Sequence, residues 1–186
     1  LKARFTYVPD TVGFYPWMNV TQWFDYLASF RRHWNDSLQH DLLDRFNLSR
    51  DQKVVTMSKG QKMQIALIGA LCPEPELLIL DEPTSGLDPL VRREFIETVI
   101  GAYQEGDPEK RTVLVSTHLI TEFEGLIDEF TIIDQGRDLI TMNADDARQR
   151  YQKVRARFPL PPDKEARFPC ISQKGNGREF EFIVNG

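Results

Sequence analysis

Leu77 to Leu80 is an unbroken apolar run that closes on two carboxylates, Asp81 and Glu82, and a proline, Pro83. A half-buried strand alternates apolar and polar side chains. A short run without alternation predicts a strand covered on both faces, as happens in a parallel sheet between helix layers. Parallel neighbours need crossover connections, so helices must stand between the strands in sequence. The run therefore predicts an α/β fold.

The rest of the chain supplies those elements. Arg4 to Asp10 reads as a short strand ended by Pro9, and Arg111 to His118 as a second buried strand with a histidine at its carboxyl end. Trp23, Phe24, Leu27 and Phe30, then Leu38, Leu42, Leu43 and Phe46, recur at helix spacing and predict an inserted helical subdomain. Ser58 followed three residues later by Gln61 is a capping-box pattern. It opens a helix that is apolar almost all round, hence buried, and that ends at Cys72-Pro73. Asp88-Pro89 gives an N-cap and a first-turn proline to a helix with Val91, Phe95, Val99 and Ile100 on one face, stopping near Gly106-Asp107-Pro108. A short helix is expected after His118, then a hairpin turning at Gln135-Gly136. From Asn143 a polar helix is predicted to about Arg157, followed by an extended proline-rich stretch from Phe158 to Pro169 and an edge strand from Arg178 to Gly186.

Composition narrows the class. Hydrophobic residues make up 41% and charged residues 27% of the 186, the balance of a globular protein. The net charge of −5 argues against a nucleic-acid partner and gives no support to docking on anionic lipid. Two cysteines, Cys72 and Cys170, are too few for a disulfide framework and lack metal-ligand spacing, which suits a reducing cytoplasm. The longest apolar stretch, Ile65 to Cys72, is far short of the ~20 residues that span a bilayer, and no signal peptide precedes it.

The chemistry concentrates in three places. A buried strand ending in Asp81 delivers a carboxylate to the sheet edge, where phosphates and Mg²⁺ are held in such folds. Glu82, next in sequence, points differently and is free to polarise a water. Ser58 and the backbone N–H groups at a helix start form an anion site, and Gly60 lets backbone approach a phosphate. His118 closes the strand Val113 to His118.

On these residues the chain resembles the ATP-binding subunits of ATP-binding-cassette (ABC) transporters. Leu77 to Asp88 (LLILDEPTSGLD) looks like the family's Walker B strand with its catalytic glutamate, running into the D-loop Ser85-Gly86-Leu87-Asp88. Met57 to Gln61 (MSKGQ) resembles the signature motif, with Lys59 in place of its first glycine. His118 matches the switch histidine. Asp10, in Tyr7-Val8-Pro9-Asp10, stands where the family carries the glutamine of the Q-loop. The resemblance implies ATP and Mg²⁺ as ligands, Asp81 at the metal, directly or through water, Glu82 as the base that orients water, and His118 at the γ-phosphate. It further implies that Ser58, Lys59, Gly60 and Gln61 serve the ATP held by a second nucleotide-binding domain, that Asp10 meets metal or water, and that Ser85 and Asp88 lie at the dimer interface. The aromatic loop with Phe14, Tyr15, Trp17 and Met18 has two readings: packing under the helical subdomain, or a groove that receives a helix of a transmembrane permease subunit.

No Gly-Lys pair occurs in the chain, so the phosphate-gripping loop G-x-x-x-x-G-K-[ST] is absent from it. The expected organisation is a partial ABC nucleotide-binding domain over residues 1–142, a P-loop NTPase-like parallel sheet without its N-terminal part, with 19–72 as helical subdomain. Residues 143–186 form a small C-terminal extension. The resemblance implies an ABC-type ATPase peripheral on the cytoplasmic face of a bacterial membrane, with this chain inactive alone. Two alternatives remain: a naturally truncated, silent subunit lending its signature face to a partner, and a non-transport ABC ATPase. The stretch from Asp10 to Met57 is short and lacks the sustained heptads of chromosome-type members.

Overall fold

The computed structural model describes residues 4–104, 110–160, 170–176 and 178–185. They fall into two compact units, Leu1–Phe123 and Glu124–Gly186. The expected boundary at 142/143 thus falls inside the second unit, because among the described residues the hairpin after Asp128 is a two-stranded sheet of its own and runs directly into the following helix.

The first unit is built on a parallel sheet in the order β1 (Phe5–Val8), β2 (Leu77–Asp81), β3 (Thr112–Ser116). Its helices are α1 (Val20–Ala28), α2 (Asp36–Arg45), α3 (Lys59–Leu71) and α4 (Pro89–Gln104). The predicted stop of α4 near Gly106 lies outside the described residues. Asn19 caps α1 and Asn35 caps α2, each accepting a hydrogen bond from a first-turn N–H. Phe30, expected on the apolar face of α1, lies beyond its C-cap and is exposed. The register sets Val8 beside Leu80 and Asp81 beside Ser116, so all three strands end at one edge.

The core lies under one face of this sheet. Val8, Leu78 and Leu80 meet α3, buried continuously from Met63 to Leu71, and Phe95 and Val99 of α4. The other face differs from the expectation of strands covered on both sides. Ile79 is half-buried, and its neighbours Tyr7 and Leu114 are 51% and 57% exposed. Among the described residues helices cover a single face, so β2 is closed on one side and β3 alternates. That open face is apolar.

In the second unit β4 (Glu129–Asp134) and β5 (Arg137–Asn143) form the predicted hairpin. Gln135 and Gly136 both take positive φ, 48° and 75°, as a two-residue turn of matching twist requires. Asn143 caps α5 (Ala144–Arg150), but this helix is shorter than predicted. From Tyr151 the chain is strand β6 (Tyr151–Arg157), where Lys153 and Arg155 pair with Glu181 of a neighbouring strand. Cross-strand pairing overrides a composition that would also suit a helix. The last strand is a second correction. β8 (Glu179–Asn185) is central, between β6 and β7 (Ser172–Asn176), because Phe182 on it is buried. Most of the proline-rich stretch, 161–169, lies outside the described residues.

Candidate functional site

Because β1, β2 and β3 are parallel, their carboxyl ends bring Asp10, Asp81, Glu82 and His118 to a common edge of the first unit. Glu82 turns off β2 with φ +44°, a left-handed conformation that costs a non-glycine residue about 1 kcal/mol or more. Its N–H donates to the carbonyl of Ser116 at 2.8 Å, which sends the side chain across to the loop after β3. There its carboxylate accepts the backbone N–H of His118 at 3.1 Å and stands 2.8 and 2.9 Å from the ring Nδ1. The glutamate expected to be free is thus engaged by the histidine.

Asp81 is approached from β1. The Tyr7 hydroxyl donates to its Oδ2 at 3.0 Å, and this bond to a carboxylate raises the phenol above its ordinary range. Sequence reading passed over Tyr7. The pairing of β1 with β2 alone brings it there, and no local pattern carries that. Asp10 is held loosely, 3.5 Å from the Thr11 hydroxyl and 3.9 Å from Lys59 Nζ.

At the start of α3 the predicted capping box is present. Ser58 Oγ accepts the N–H of Gln61 at 3.1 Å, and Gln61 Oε1 accepts that of Ser58 at 3.0 Å. Both side chains are spent on the helix end, leaving the first-turn N–H groups of Lys59 and Gly60 without a partner among the described residues. Gly60 has a packing reason too: a Cβ there would stand 3.1 Å from Val91 Cγ1 on α4. Asp88 caps α4, its Oδ1 accepting from Leu90 and Val91 at 3.1 Å each. The Ser85 N–H closes the turn on the Glu82 carbonyl at 3.1 Å. Three buried or half-buried residues missed in the sequence, Thr84, Arg92 and Glu122, tie these loops together.

The aromatic loop divides between its two readings. Met18 is buried and Phe14 packs on Trp23 at 4.7 Å, whereas Tyr15 and Trp17 are exposed. Gly13, Phe14, Tyr15, Trp23 and Tyr26 line an open hollow. His33 and His40 are surface residues, His33 pairing with Glu74 at 2.6 Å.

The donor set fits a hard divalent cation. Oxygen ligands suit Mg²⁺, which keeps several waters and takes one or two carboxylates plus substrate phosphates. Asp81 retains one oxygen free of Tyr7, and Asp10 is only weakly held. No cluster of three or more ligating side chains exists among the described residues.

A parallel sheet with carboxylates and a histidine at its carboxyl edge, and a capped helix start beside it, defines a P-loop NTPase-like α/β core. A family model described as "AAA domain, putative AbiEii toxin, Type IV TA system" matches residues 20–123. The chain is 32% identical over 158 residues to an uncharacterized ABC transporter ATP-binding protein, YhaQ, of Bacillus subtilis, covering 82% of this chain and 52% of that protein. It is 37% identical over 95 residues to Nod factor export ATP-binding protein I of Rhizobium leguminosarum bv. viciae, covering 51% of this chain and 29% of that one. A solved ATP-binding subunit of an ABC transporter superposes with TM-score 0.67 at 27% identity, over 80% of this chain and 62% of that chain. The chain belongs to the ABC transporter ATP-binding proteins. It spans about half the length of the curated relatives it matches.

Proposed function

We propose that this chain works as part of an ATP-hydrolysing subunit that couples ATP turnover to transport through a membrane partner. The observation that carries this reading is the Glu82–His118 pair at the carboxyl edge of the sheet. In it Glu82 orients the attacking water once His118 turns to the γ-phosphate, and Asp81, with Asp10 beside it, holds Mg²⁺. The metal would neutralise charge on the β- and γ-phosphates. The unpartnered N–H groups of Lys59 and Gly60 face the ATP of a second nucleotide-binding domain, with Ser58 and Gln61 fixing the helix start that presents them. Ser85 and Asp88 lie at that same dimer interface.

The chain by itself is inactive in this reading, since it carries no lysine and backbone cradle for the phosphates. The open apolar face at Tyr7, Ile79 and Leu114 supports a further strand and helix, bearing that cradle, packed against it. Exposed Tyr15 and Trp17, beside their hollow, offer anchors for a permease helix. No helix among the described residues is long and apolar enough to cross a membrane. The resemblance to ABC transporter subunits supports a place on the cytoplasmic face, held by that partner. Residues 1–123 form the catalytic part in this reading, and the unit from Glu124 onward, which holds the expected extension 143–186, is an appendage to it.

The test is steady-state ATPase of the 186-residue chain alone and together with a segment carrying G-x-x-x-x-G-K-[ST]. Background turnover alone and restored turnover in the complex support the reading. Turnover by the chain alone sinks it. Activity that needs only a complete second subunit and disappears with Ser58→Arg supports instead a silent partner lending its signature face.

A further inference from the structure

Glu82 and His118 sit on different loops, and one backbone hydrogen bond, Glu82 N–H to Ser116 O, joins those loops directly. A further side-chain linkage joins the same loops. Four residues past His118, in a 3-10 turn at Ile120–Glu122 anchored by buried Phe123, the Glu122 side chain is only 12% exposed. One of its oxygens accepts the hydroxyl of Thr84 at 2.6 Å. Thr84 is fully buried and lies two residues past Glu82. The other oxygen meets Arg92 Nη1 at 2.5 Å, and Arg92 Nη2 donates to the Leu87 carbonyl at 3.1 Å. A single carboxylate therefore ties the turn after His118 to both ends of the loop from Glu82 to Asp88.

We propose that Glu122, through Thr84 and Arg92, is a positioning residue that keeps Glu82 in register with His118 and moves the Ser85–Asp88 loop with them as one piece. Hydrogen bonds between a carboxylate and a guanidinium are short and strong, so this contact fixes both groups. The buried Arg92 Nε has no partner among the described residues, so the orientation of the guanidinium is set by Glu122 and Leu87 alone. Neither Thr84 nor Arg92 offers an atom to the sheet edge itself. Their contacts serve the geometry of the pair.

This inference rests on the reading of Glu82 and His118 as ATPase residues for its consequence, though not for the linkage. The test uses the intact protein with Thr84→Val, which keeps shape and removes the donor, Thr84→Ser, which restores it, and Glu122→Gln, which removes the charge Arg92 meets. Amide hydrogen exchange at His118, whose N–H is held by Glu82, reads the pairing without any nucleotide. Thr84→Val and Glu122→Gln should raise that exchange about tenfold, with the amides of Leu78 and Leu80 in β2 unchanged and Thr84→Ser close to wild type. In turnover, read in the complex with a segment carrying G-x-x-x-x-G-K-[ST], the same two variants should lower kcat roughly ten- to a hundredfold at unchanged KM for ATP. Equal His118 exchange in Thr84→Val and Thr84→Ser overturns the linkage. Raised exchange with undiminished kcat overturns the positioning role. Absence of turnover in the wild-type complex counts against the ATPase reading, and the exchange arm then decides the linkage by itself.

Discussion

Lys59 Nζ stands 3.9 Å from the Asp10 carboxylate, so the two residues that depart from the ABC pattern face each other. The lysine stem also lies across Gly86, whose φ is +68° and where a Cβ would come within 3.2 Å of Nζ. Charge added at the signature helix is thus met by charge added at the end of β1. Both side chains are about half exposed, 52% and 49%, so water screens the attraction. A double-mutant cycle with Lys59→Ala and Asp10→Ala, read by urea unfolding, should give a coupling of less than about 1 kcal/mol. A larger value would mean that the pair is structural.

Glu82→Gln keeps the shape of the pair and removes the proposed base. In the complex with a segment carrying G-x-x-x-x-G-K-[ST] it should cut ATP turnover by about 10²- to 10⁴-fold while nucleotide binding persists, measured by steady-state hydrolysis and by nucleotide fluorescence. Retention of turnover would return Glu82 to a purely structural place beside His118.

Ser58→Ala removes the capping acceptor for Gln61 and should destabilise the fold by about 1 kcal/mol, seen as a lowered denaturation midpoint. Ser58→Arg adds bulk and charge at the helix start and should in addition abolish turnover that depends on a second subunit. Equal turnover in the two variants would separate the signature face from the reaction.

Burial at 0% exposure pushes the Cys72 thiol up from 9.0 to about 12. The folded state therefore keeps a proton that the unfolded chain releases from pH 9 upward. Stability supplied by the buried neutral thiol is complete below pH 9 and falls by about 1.4 kcal/mol per pH unit as pH rises toward 12. The difference in unfolding free energy between wild type and Cys72→Ala should shrink over that range. At pH 8 a thiol reagent should label half-exposed Cys170 and spare Cys72 until the protein unfolds.

Gly69→Ala tests the packing of α1 on α3. The added Cβ would fall 2.6 Å from Leu27 Cδ1, the mobile end of a half-buried side chain. The expected loss is about 1–3 kcal/mol by calorimetry or urea unfolding, with helix content unchanged.

Much of the first unit could be read from local pattern. The capping box at Ser58 and Gln61 and the Asp88-Pro89 helix start, like the Gln135-Gly136 turn of the second unit, are contacts within a few residues, so the residue types alone specify them. Two elements were misread where local pattern is ambiguous. Tyr151 to Arg157 is polar and could continue a helix, and only pairing with β8 makes it a strand. Arg178 to Asn185 alternates as an edge strand would, yet it has a neighbour on each side. The apolar run at Leu77 predicted two covered faces because hydrophobicity says what should be buried, not what lies over it.

The sequence by itself determined the kinds and order of the elements of the first unit, and which residues could carry charge and protons, because caps, turns and apolar periods act over one or two turns of chain. Tertiary structure decided the partners. Tyr7 reaches Asp81, Glu82 reaches His118, Lys59 reaches Asp10, and Glu122 joins Thr84 to Arg92 across long stretches of sequence. Those meetings follow from strand order and register, which the packing of α3 and α4 on a single sheet face fixes, and no short-range pattern encodes them.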